Sequence, residues 1–171
     1  MNTPDEPINF ERMSGAIGSK LFLWCGIEKA LEVALLAQHG GQMPKGHHGI
    51  RSRILLWSSQ ILEVGEQRPL QRQVCGVVVS HLEQSLDLRN LICHGLIGVS
   101  ASHTPNDPEA HLTVERAKVQ RKIYWGDLQP MFAWMSRAPY TIEDLTAAAM
   151  TADDESANRG LYAWRRFPQI E

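Results

Sequence analysis

The sequence predicts a mainly α-helical protein with a small β-hairpin or extended insertion before its last helix. Long segments with apolar residues at helical spacing, bounded by glycine or proline, are followed by a short segment in which apolar and polar residues alternate. A chain of 171 residues is long enough for one domain with a hydrophobic core and short for two. We therefore expect a single up-and-down helical bundle over residues 10–167, after a disordered lead-in over residues 1–9.

Two helices are predicted in the first part of the chain. The first, residues 10–37, ends before Gly40-Gly41, because glycine adopts the left-handed conformation that commonly follows a helix. The second runs from about residue 50 to residue 64 and stops at Gly65. Their apolar stripes are Phe10, Ile17, Trp24 and Leu31, with Met13, Leu21, Ile27 and Leu35 beside them, and then Ile50, Ile54, Trp57 and Ile61.

A third helix is predicted from Pro69 to His94, with Gly95 as its C-terminal cap. Its apolar stripe contains His81, which favours a core histidine over a ligand at that position. The stripe comprises Leu70, Val74, Val77, Leu88 and Ile92, widened by Val78 and Leu82, and the opposite face gathers Arg72, Glu83, Asp87, Asn90 and His94.

After Gly95 the spacing of the apolar residues changes. Residues 96–100 are partly β-branched, residues 102–110 are rich in turn formers, and residues 112–119 and 122–125 alternate loosely, which predicts one hairpin or a pair of short strands. This insertion spans about residues 96–140 and includes a short helical turn interrupted by Pro130. The last helix is predicted to begin at the capping-box-like segment Thr141–Asp144. Its expected buried face comprises Leu145, Ala148, Ala149, Leu161 and Trp164.

The composition is that of an ordinary globular protein of the cytoplasm. We expect neither a membrane span nor a secretory signal, because no segment approaches about 20 uninterrupted apolar residues and the first ten residues carry two acids. The cysteines have apolar neighbours in helical segments, so we expect free thiols in a reducing compartment. They are Cys25, Cys75 and Cys93. His39, His47 and His48 surround a glycine-rich loop without a carboxylate or cysteine at ligand spacing, so we expect no metal and no cofactor.

Charge permits a phosphate-bearing partner without arguing for one. The net charge is −2, which does not predict a protein coated with nucleic acid. Basic residues nevertheless outnumber acidic ones in residues 45–72 and in residues 112–137, although such stretches are usually solvated faces. The second stretch contains Arg116, Lys118, Arg121, Lys122 and Arg137 against Glu115 and Asp127.

The end of the third helix carries a polar motif, Arg89-Asn90-Leu-Ile-Cys-His94. Asn90 and His94 are four residues apart, so their side chains are neighbours. Arg89 projects at the margin of the apolar stripe, where a guanidinium needs a partner or a wet cavity, and its planar fork suits a phosphate or a carboxylate. Arg89 and His94 lie roughly 140° apart around an ideal helix. They therefore meet only through the length of arginine, distortion of the last turn, or a site shared with a second subunit.

A purely structural explanation of the motif stays open beside the functional one. In that explanation Arg89 snorkels to solvent or pairs with an acid on another helix. His94 is then a surface residue of the kind favoured near a helix C-terminus.

The segment Asp87-Leu-Arg-Asn-Leu-Ile-Cys-His-Gly95 resembles the signature of HEPN domains (higher eukaryotes and prokaryotes nucleotide-binding). In that signature an arginine, a polar residue, a few further positions and a histidine stand near the end of a long helix. The preceding helices and the phrase Tyr140-Thr-Ile-Glu-Asp-Leu145 also fit, so the resemblance covers about residues 10–165. The insertion between Gly95 and Pro139 is longer than a minimal HEPN loop, which leaves the surroundings of the site open.

The resemblance implies a helical bundle that commonly dimerises, and many HEPN proteins are metal-independent endoribonucleases. Toxins of toxin–antitoxin pairs, abortive-infection proteins and CRISPR-associated nucleases belong to the family. Carried over to this chain, the resemblance implies RNA as substrate and Arg89, Asn90 and His94 as the active triplet. It also implies a homodimer with the site at the interface, and an antitoxin or another protein as a further partner.

The implied chemistry fits these side chains. The 2′-OH of RNA attacks the adjacent phosphorus, and His94 takes the hydroxyl proton or gives a proton to the leaving 5′-oxygen. Arg89 stabilises the charge on the phosphorane, and Asn90 orients the imidazole or contacts the phosphate. The product is a 2′,3′-cyclic phosphate. Two alternatives remain: a HEPN domain without cleavage that binds a nucleotide or a protein, and an unrelated helical interaction protein in which the motif is a coincidence.

Overall fold

The computed structural model describes residues 8–64, 67–101 and 109–166. It is mainly α-helical, with a small antiparallel sheet before the last helices, as the sequence predicts. The elements in chain order are α1 (Phe10–Gln38), α2 (Ile50–Val64), α3 (Pro69–Gly95), β1 (Leu96–Ser100), β2 (His111–Arg116), β3 (Val119–Tyr124), α4 (Trp125–Met135), α5 (Ala138–Met150), α6 (Asp154–Leu161) and a 3₁₀ helix (Tyr162–Arg166).

The starts of the first three helices are predicted correctly. Asn9 caps α1, since its Oδ1 accepts a hydrogen bond of 2.8 Å from the backbone N–H of Arg12. Gly40 and Gly41 follow α1 with φ angles of 63° and 86°, which confirms the predicted stop. Most of the predicted lead-in (residues 1–7), the predicted stop at Gly65 and most of the turn-rich loop (residues 102–108) lie outside the described residues.

The predicted apolar stripe of α1 is displaced around the helix. Phe10 is 63% exposed and Ile17 is only half-buried, so the buried stripe begins at Met13. Its remaining members include Ala16, Lys20, Trp24, Ile27, Leu31 and Leu35. A lysine therefore occupies a fully buried position that spacing alone assigns to an apolar residue.

Three predicted boundaries were wrong. α4 continues through Pro130 instead of breaking there, because the lost hydrogen bond would join Pro130 to Gly126 and both residues are exposed to water. α5 begins at Ala138, ahead of the predicted Thr141, with Pro139 in its first turn. The predicted last helix is divided, and α6 has Asp153 as its N-cap, whose side chain accepts from the N–H of Ser156 at 2.8 Å.

The described residues divide into two compact units, and the divisions fall within α1 and within α3. The first unit comprises the chain up to Trp24 together with Ser85–Ser136, and the second comprises Cys25–Gln84 together with the chain from Arg137 onward. A single domain over residues 10–167 stays a prediction. Among the described helices, none has the length and apolar character needed to cross a membrane.

The first unit contains the sheet, whose strand order is β1-β2-β3 with both pairs antiparallel. The hairpin of β2 and β3 is in register from His111 opposite Tyr124 to Arg116 opposite Val119. Its core is formed by Met13, Leu88, Ile92, Ala110, Leu112 and Leu128. The sheet therefore shares its core with the C-terminal part of α3, the part that carries the polar motif.

The second unit is held together by buried polar contacts as well as apolar packing. The indole N–H of Trp57 on α2 donates to Oγ1 of Thr146 on α5 at 3.0 Å. Buried Arg68 donates to Oδ1 of Asp154 at 2.7 Å and to the carbonyl oxygens of Ala148 and Thr151 at 2.8 and 2.9 Å. Arg68 thus joins the C-terminus of α5 to the start of α6, where helix carbonyls otherwise lack partners.

Candidate functional site

The buried side of α3 includes Arg89, which the sequence places only at the margin of the apolar stripe. Leu82, Ser85 and Ile92 are buried, and Arg89 lies among them on the same side of the helix. The opposite face is solvated as predicted, with Asp87 and His94 exposed and Asn90 half-buried. The motif is therefore split around the helix: Arg89 faces inward and His94 faces solvent.

Arg89 is directed at its neighbour in the motif. Its Nη1 donates to Oδ1 of Asn90 at 3.1 Å. Its Nε is buried and has no hydrogen-bond partner among the described residues, and the same holds for Oγ of Ser85 one turn earlier. Arg89 is thus placed to hold the amide of Asn90. The buried Nε of Arg89 has lost its hydration without gaining a partner, which offsets part of the stabilisation from the contact with Asn90.

Asn90 and His94 line one open cleft at the end of α3. The cleft has a volume of about 360 Å³ and is lined by Asn90, Leu91, His94, Gly95, Glu115 and Arg116. The helix contributes the amide and the imidazole, and β2 contributes the other wall. The structure therefore brings two residues of the predicted triplet together, and Arg89 is connected to the cleft through Asn90.

The wall from β2 depends on Gly95. A Cβ built on Gly95 would lie 2.5 Å from the carbonyl oxygen of Glu115, which is closer than real Cβ atoms approach. α3 ends at Gly95 as predicted, but Gly95 does not have the positive φ of a left-handed cap. The glycine instead permits the backbone of β2 to cross the end of α3 next to His94.

Arg116 is the cleft residue that sequence reasoning missed. Side chains alternate along a strand, so Leu112, Val114 and Arg116 share one face of β2. Glu115 also lines the cleft, where its backbone carbonyl lies beside Gly95, and its side chain projects from the other face. On that other face the carboxylate of Glu115 accepts from Nε2 of Gln120 at 3.2 Å. In the sequence, Arg116 continues the alternation of Leu112 and Val114, which indicates that it shares their face of the strand. No spacing rule, however, places a strand against a particular helix.

A second cleft adjoins the first. It has a volume of about 440 Å³ and is lined by Asp87, Leu91, Val114, Arg116, Ala117, Val119 and Arg121. Leu91 and Arg116 line both clefts. Within the described parts of the chain, the side chains of Arg116 and Arg121 form no hydrogen bond or ion pair, and both residues are exposed.

Three other histidines are buried or have local side-chain neighbours. His81 is buried as predicted, and desolvation lowers the pKa of its imidazole. His39 Nε2 lies 2.7 Å from Nε2 of Gln60, and His47 Nδ1 lies 2.7 Å from Oγ of Ser52. Within residues 8–64, 67–101 and 109–166, no group of three or more His, Cys, Asp or Glu side chains is arranged to hold a metal ion.

No protein-family model, curated protein or solved structure matches this chain. The HEPN resemblance stays a prediction that rests on residues 87–95 and their place at the end of α3.

Proposed function

We propose that this protein is a metal-independent endoribonuclease whose active site is the cleft at the end of α3. The observation that carries the proposal is that an exposed imidazole, an amide and an arginine without a partner among the described residues line one open cleft. They are His94, Asn90 and Arg116. Together they offer proton transfer, hydrogen bonding and positive charge to a phosphodiester.

The reaction needs no group beyond RNA and these side chains. The 2′-oxygen of the substrate attacks the adjacent phosphorus, and its proton passes to a base. The bond between phosphorus and the 5′-oxygen breaks, and that oxygen receives a proton. The products are a 2′,3′-cyclic phosphate and a 5′-hydroxyl. His94 carries one of the two proton transfers, each of which is typically worth about 10²–10⁴-fold in rate.

We assign different roles to the two arginines. Arg116 lines the cleft and takes the place next to the phosphate, where its fork stabilises the charge that develops on the phosphorane. Arg89 holds Oδ1 of Asn90, which leaves the amide N–H₂ of Asn90 as a donor toward the cleft. Arg89 is therefore a positioning residue in this proposal, although the HEPN resemblance implies a direct role.

A second copy of the chain is the partner that the resemblance adds to the proposal. Concerted cleavage uses one group to accept a proton and another to donate one. The described part of the cleft contains a single imidazole, that of His94, and a two-fold dimer would bring two copies of it together. A toxin or defence role in the cytoplasm, with an antitoxin as protein partner, is the biological setting that the family implies.

A binding module without cleavage is the second candidate. It is favoured by the position of Arg89, which faces the buried side of α3 and does not line the cleft. In that case the same cleft holds a nucleotide or a partner protein, and the chain does not change it.

The test of cleavage compares the wild-type chain with His94→Ala and His48→Ala, each with single-stranded and structured RNA in excess EDTA. His48 is an exposed histidine on the loop before α2 and serves as the matched control. We expect wild type and His48→Ala to produce 2′,3′-cyclic phosphate ends, and His94→Ala to lose at least about 10²-fold in rate. A DNA of the same sequence stays intact, because it lacks the 2′-OH.

Three outcomes would contradict the ribonuclease proposal. Cleavage that EDTA abolishes would point to a metal-dependent reaction. Equal cleavage by wild type and His94→Ala would point to a contaminating nuclease. RNA binding without cleavage by any folded variant would support the binding module.

A further inference from the structure

The second cleft contains two arginines on the face of the hairpin that turns toward α3. Leu112 and Val114 belong to that face and are buried in the core, and the next positions on it are Arg116 and Arg121. Val114 lies directly opposite Arg121 in the register, so these two side chains share a face. The alternation that supplies core residues near the base of the hairpin thus supplies guanidinium groups near its tip.

Neither guanidinium is neutralised within the described part of the chain. The guanidinium groups of Arg116 and Arg121 have no ion pair or hydrogen bond there, and Asp87, the acid of this cleft, is engaged in an interaction of its own. The cleft has a volume of about 440 Å³. Two exposed arginines in such a cleft suit an anion with several oxygen acceptors. A phosphate diester has this chemistry, and arginine binds it through two parallel hydrogen bonds.

Arg116 links this cleft to the proposed active site. Arg116 lines both clefts. An RNA strand with a phosphate beside His94 would therefore continue past Arg116 toward Arg121. We propose that the second cleft binds the phosphate next to the scissile one, and that the substrate is single-stranded RNA whose backbone follows Arg116 and Arg121. This inference rests on the proposed function and adds a subsite and a substrate class to it.

Single-stranded RNA fits the proposed reaction better than a duplex for a chemical reason. The attacking 2′-oxygen must lie opposite the leaving 5′-oxygen, and a helical duplex holds it away from that line. Unpaired nucleotides are also the RNA segments whose bases and backbone can be splayed over a protein surface. A groove of positive charge that follows the backbone is the usual means of binding them.

The test measures binding of a short fluorescein-labelled single-stranded RNA by anisotropy across a series of KCl concentrations. All protein variants in this test also carry His94→Ala, so that the labelled RNA is not cleaved. Arg121→Gln is compared with Lys122→Gln, because the two residues are neighbours on β3, both are exposed, and their side chains lie on opposite faces of the sheet. Each substitution removes one positive charge, so a difference between them reports the face and not the net charge.

We expect Arg121→Gln to reduce the slope of log K against log salt by about 0.7, the value for one contact with a single-strand phosphate. At about 0.1 M salt this corresponds to about fivefold weaker binding. Lys122→Gln should keep the parent slope. Equal effects of the two substitutions, or no effect of either, would overturn the subsite. A duplex of the same sequence that binds as tightly as the single strand would overturn the substrate class.

Different results would contradict the subsite and the ribonuclease. RNA cleavage by the chain with His94 intact, together with identical binding by the Arg121 and Lys122 variants, would remove the subsite and leave the ribonuclease. The absence of both binding and cleavage would remove the proposed function and the subsite with it.

Discussion

At the scale of single residues, Lys20 is the side chain that the apolar pattern least accommodates. It is fully buried in the stripe of α1, and its Nζ lies 3.0 Å from Sδ of Met131 and 3.4 Å from Sδ of Met135. Thioether sulfurs are weak acceptors, so they replace little of the lost hydration. Desolvation consequently lowers the pKa of Lys20 from 10.5 to about 8.

We expect Lys20→Met to stabilise the protein by roughly 3 kcal/mol at neutral pH. Between pH 8 and pH 10.5 the unfolded chain keeps a proton on Lys20 that the folded chain has released. The free energy of unfolding of wild type therefore rises with pH in this window, and its deficit relative to Lys20→Met narrows. Denaturant titrations at pH 7 and across that window measure both effects.

Lys29→Met is the matched control for this prediction. Lys29 lies on the same helix with its side chain 67% exposed, in a surface ion pair with Glu32. Its replacement should change the free energy of unfolding by less than about 1 kcal/mol. A loss of stability in Lys20→Met would show that the two sulfur contacts outweigh the cost of burying the amine.

At the scale of elements, the β2–β3 hairpin is closed by residues that its turn does not favour. Ala117 and Lys118 have φ angles of 53° and 65°. Two left-handed residues between paired Arg116 and Val119 form the turn that Asn-Gly ordinarily provides. A side chain with a Cβ pays about 1–2 kcal/mol in the left-handed region. The hairpin that carries Arg116 is therefore held in register against local strain.

Replacing Lys118 by glycine should relieve part of this strain. We expect Lys118→Gly to raise the free energy of unfolding by about 1 kcal/mol, because the entropy that glycine gains in the unfolded chain offsets some of the benefit. Lys118→Ala removes the same charge and keeps the Cβ, so it should bring no gain. Equal stabilisation by both variants in thermal unfolding would assign the effect to charge rather than to backbone conformation.

The sequence predicts those elements whose signals are local. The bounds of α1 and α2 follow from their apolar periods and, for the end of α1, from the Gly40-Gly41 stop. The start of α5 is missed because Thr141–Asp144 imitates a cap, whereas the hydroxyl of Thr141 donates within the helix to the carbonyl of Arg137. In α4, Pro130 is tolerated because the missing bond is exposed to water, which the sequence does not reveal.

The candidate site is predictable only as far as it lies on one helix. Asn90 and His94 share a face through their spacing, and the cleft contains both. Arg116 comes from a strand that crosses the end of α3, and this crossing depends on the contact of Gly95 with the backbone of Glu115. Contacts between distant parts of the chain have no spacing rule, so the second wall of the cleft could not be predicted.

At the scale of the whole molecule, all residues of the candidate site belong to one compact unit. Both clefts are lined by residues of Ser85–Ser136, and none of their lining residues comes from Cys25–Gln84. The second unit has its own buried contacts, among them those of Arg68 and Trp57. The proposed chemistry therefore needs the end of α3 and the sheet, and a second copy of the chain is the source we propose for another imidazole.

Mixing wild type with His94→Ala tests whether a second copy of the chain supplies the other imidazole. If two copies of His94 share one reaction, a mixed dimer lacks one proton-transfer group and is inactive. After subunit exchange at equal concentrations, about a quarter of the dimers contain two intact chains, so RNA cleavage should fall to about a quarter of the rate of the same total amount of wild type. Mixing with His48→Ala, which keeps the cleft intact, should leave the rate unchanged. A fall to about a half would show that each cleft works alone and that the reaction needs no second imidazole.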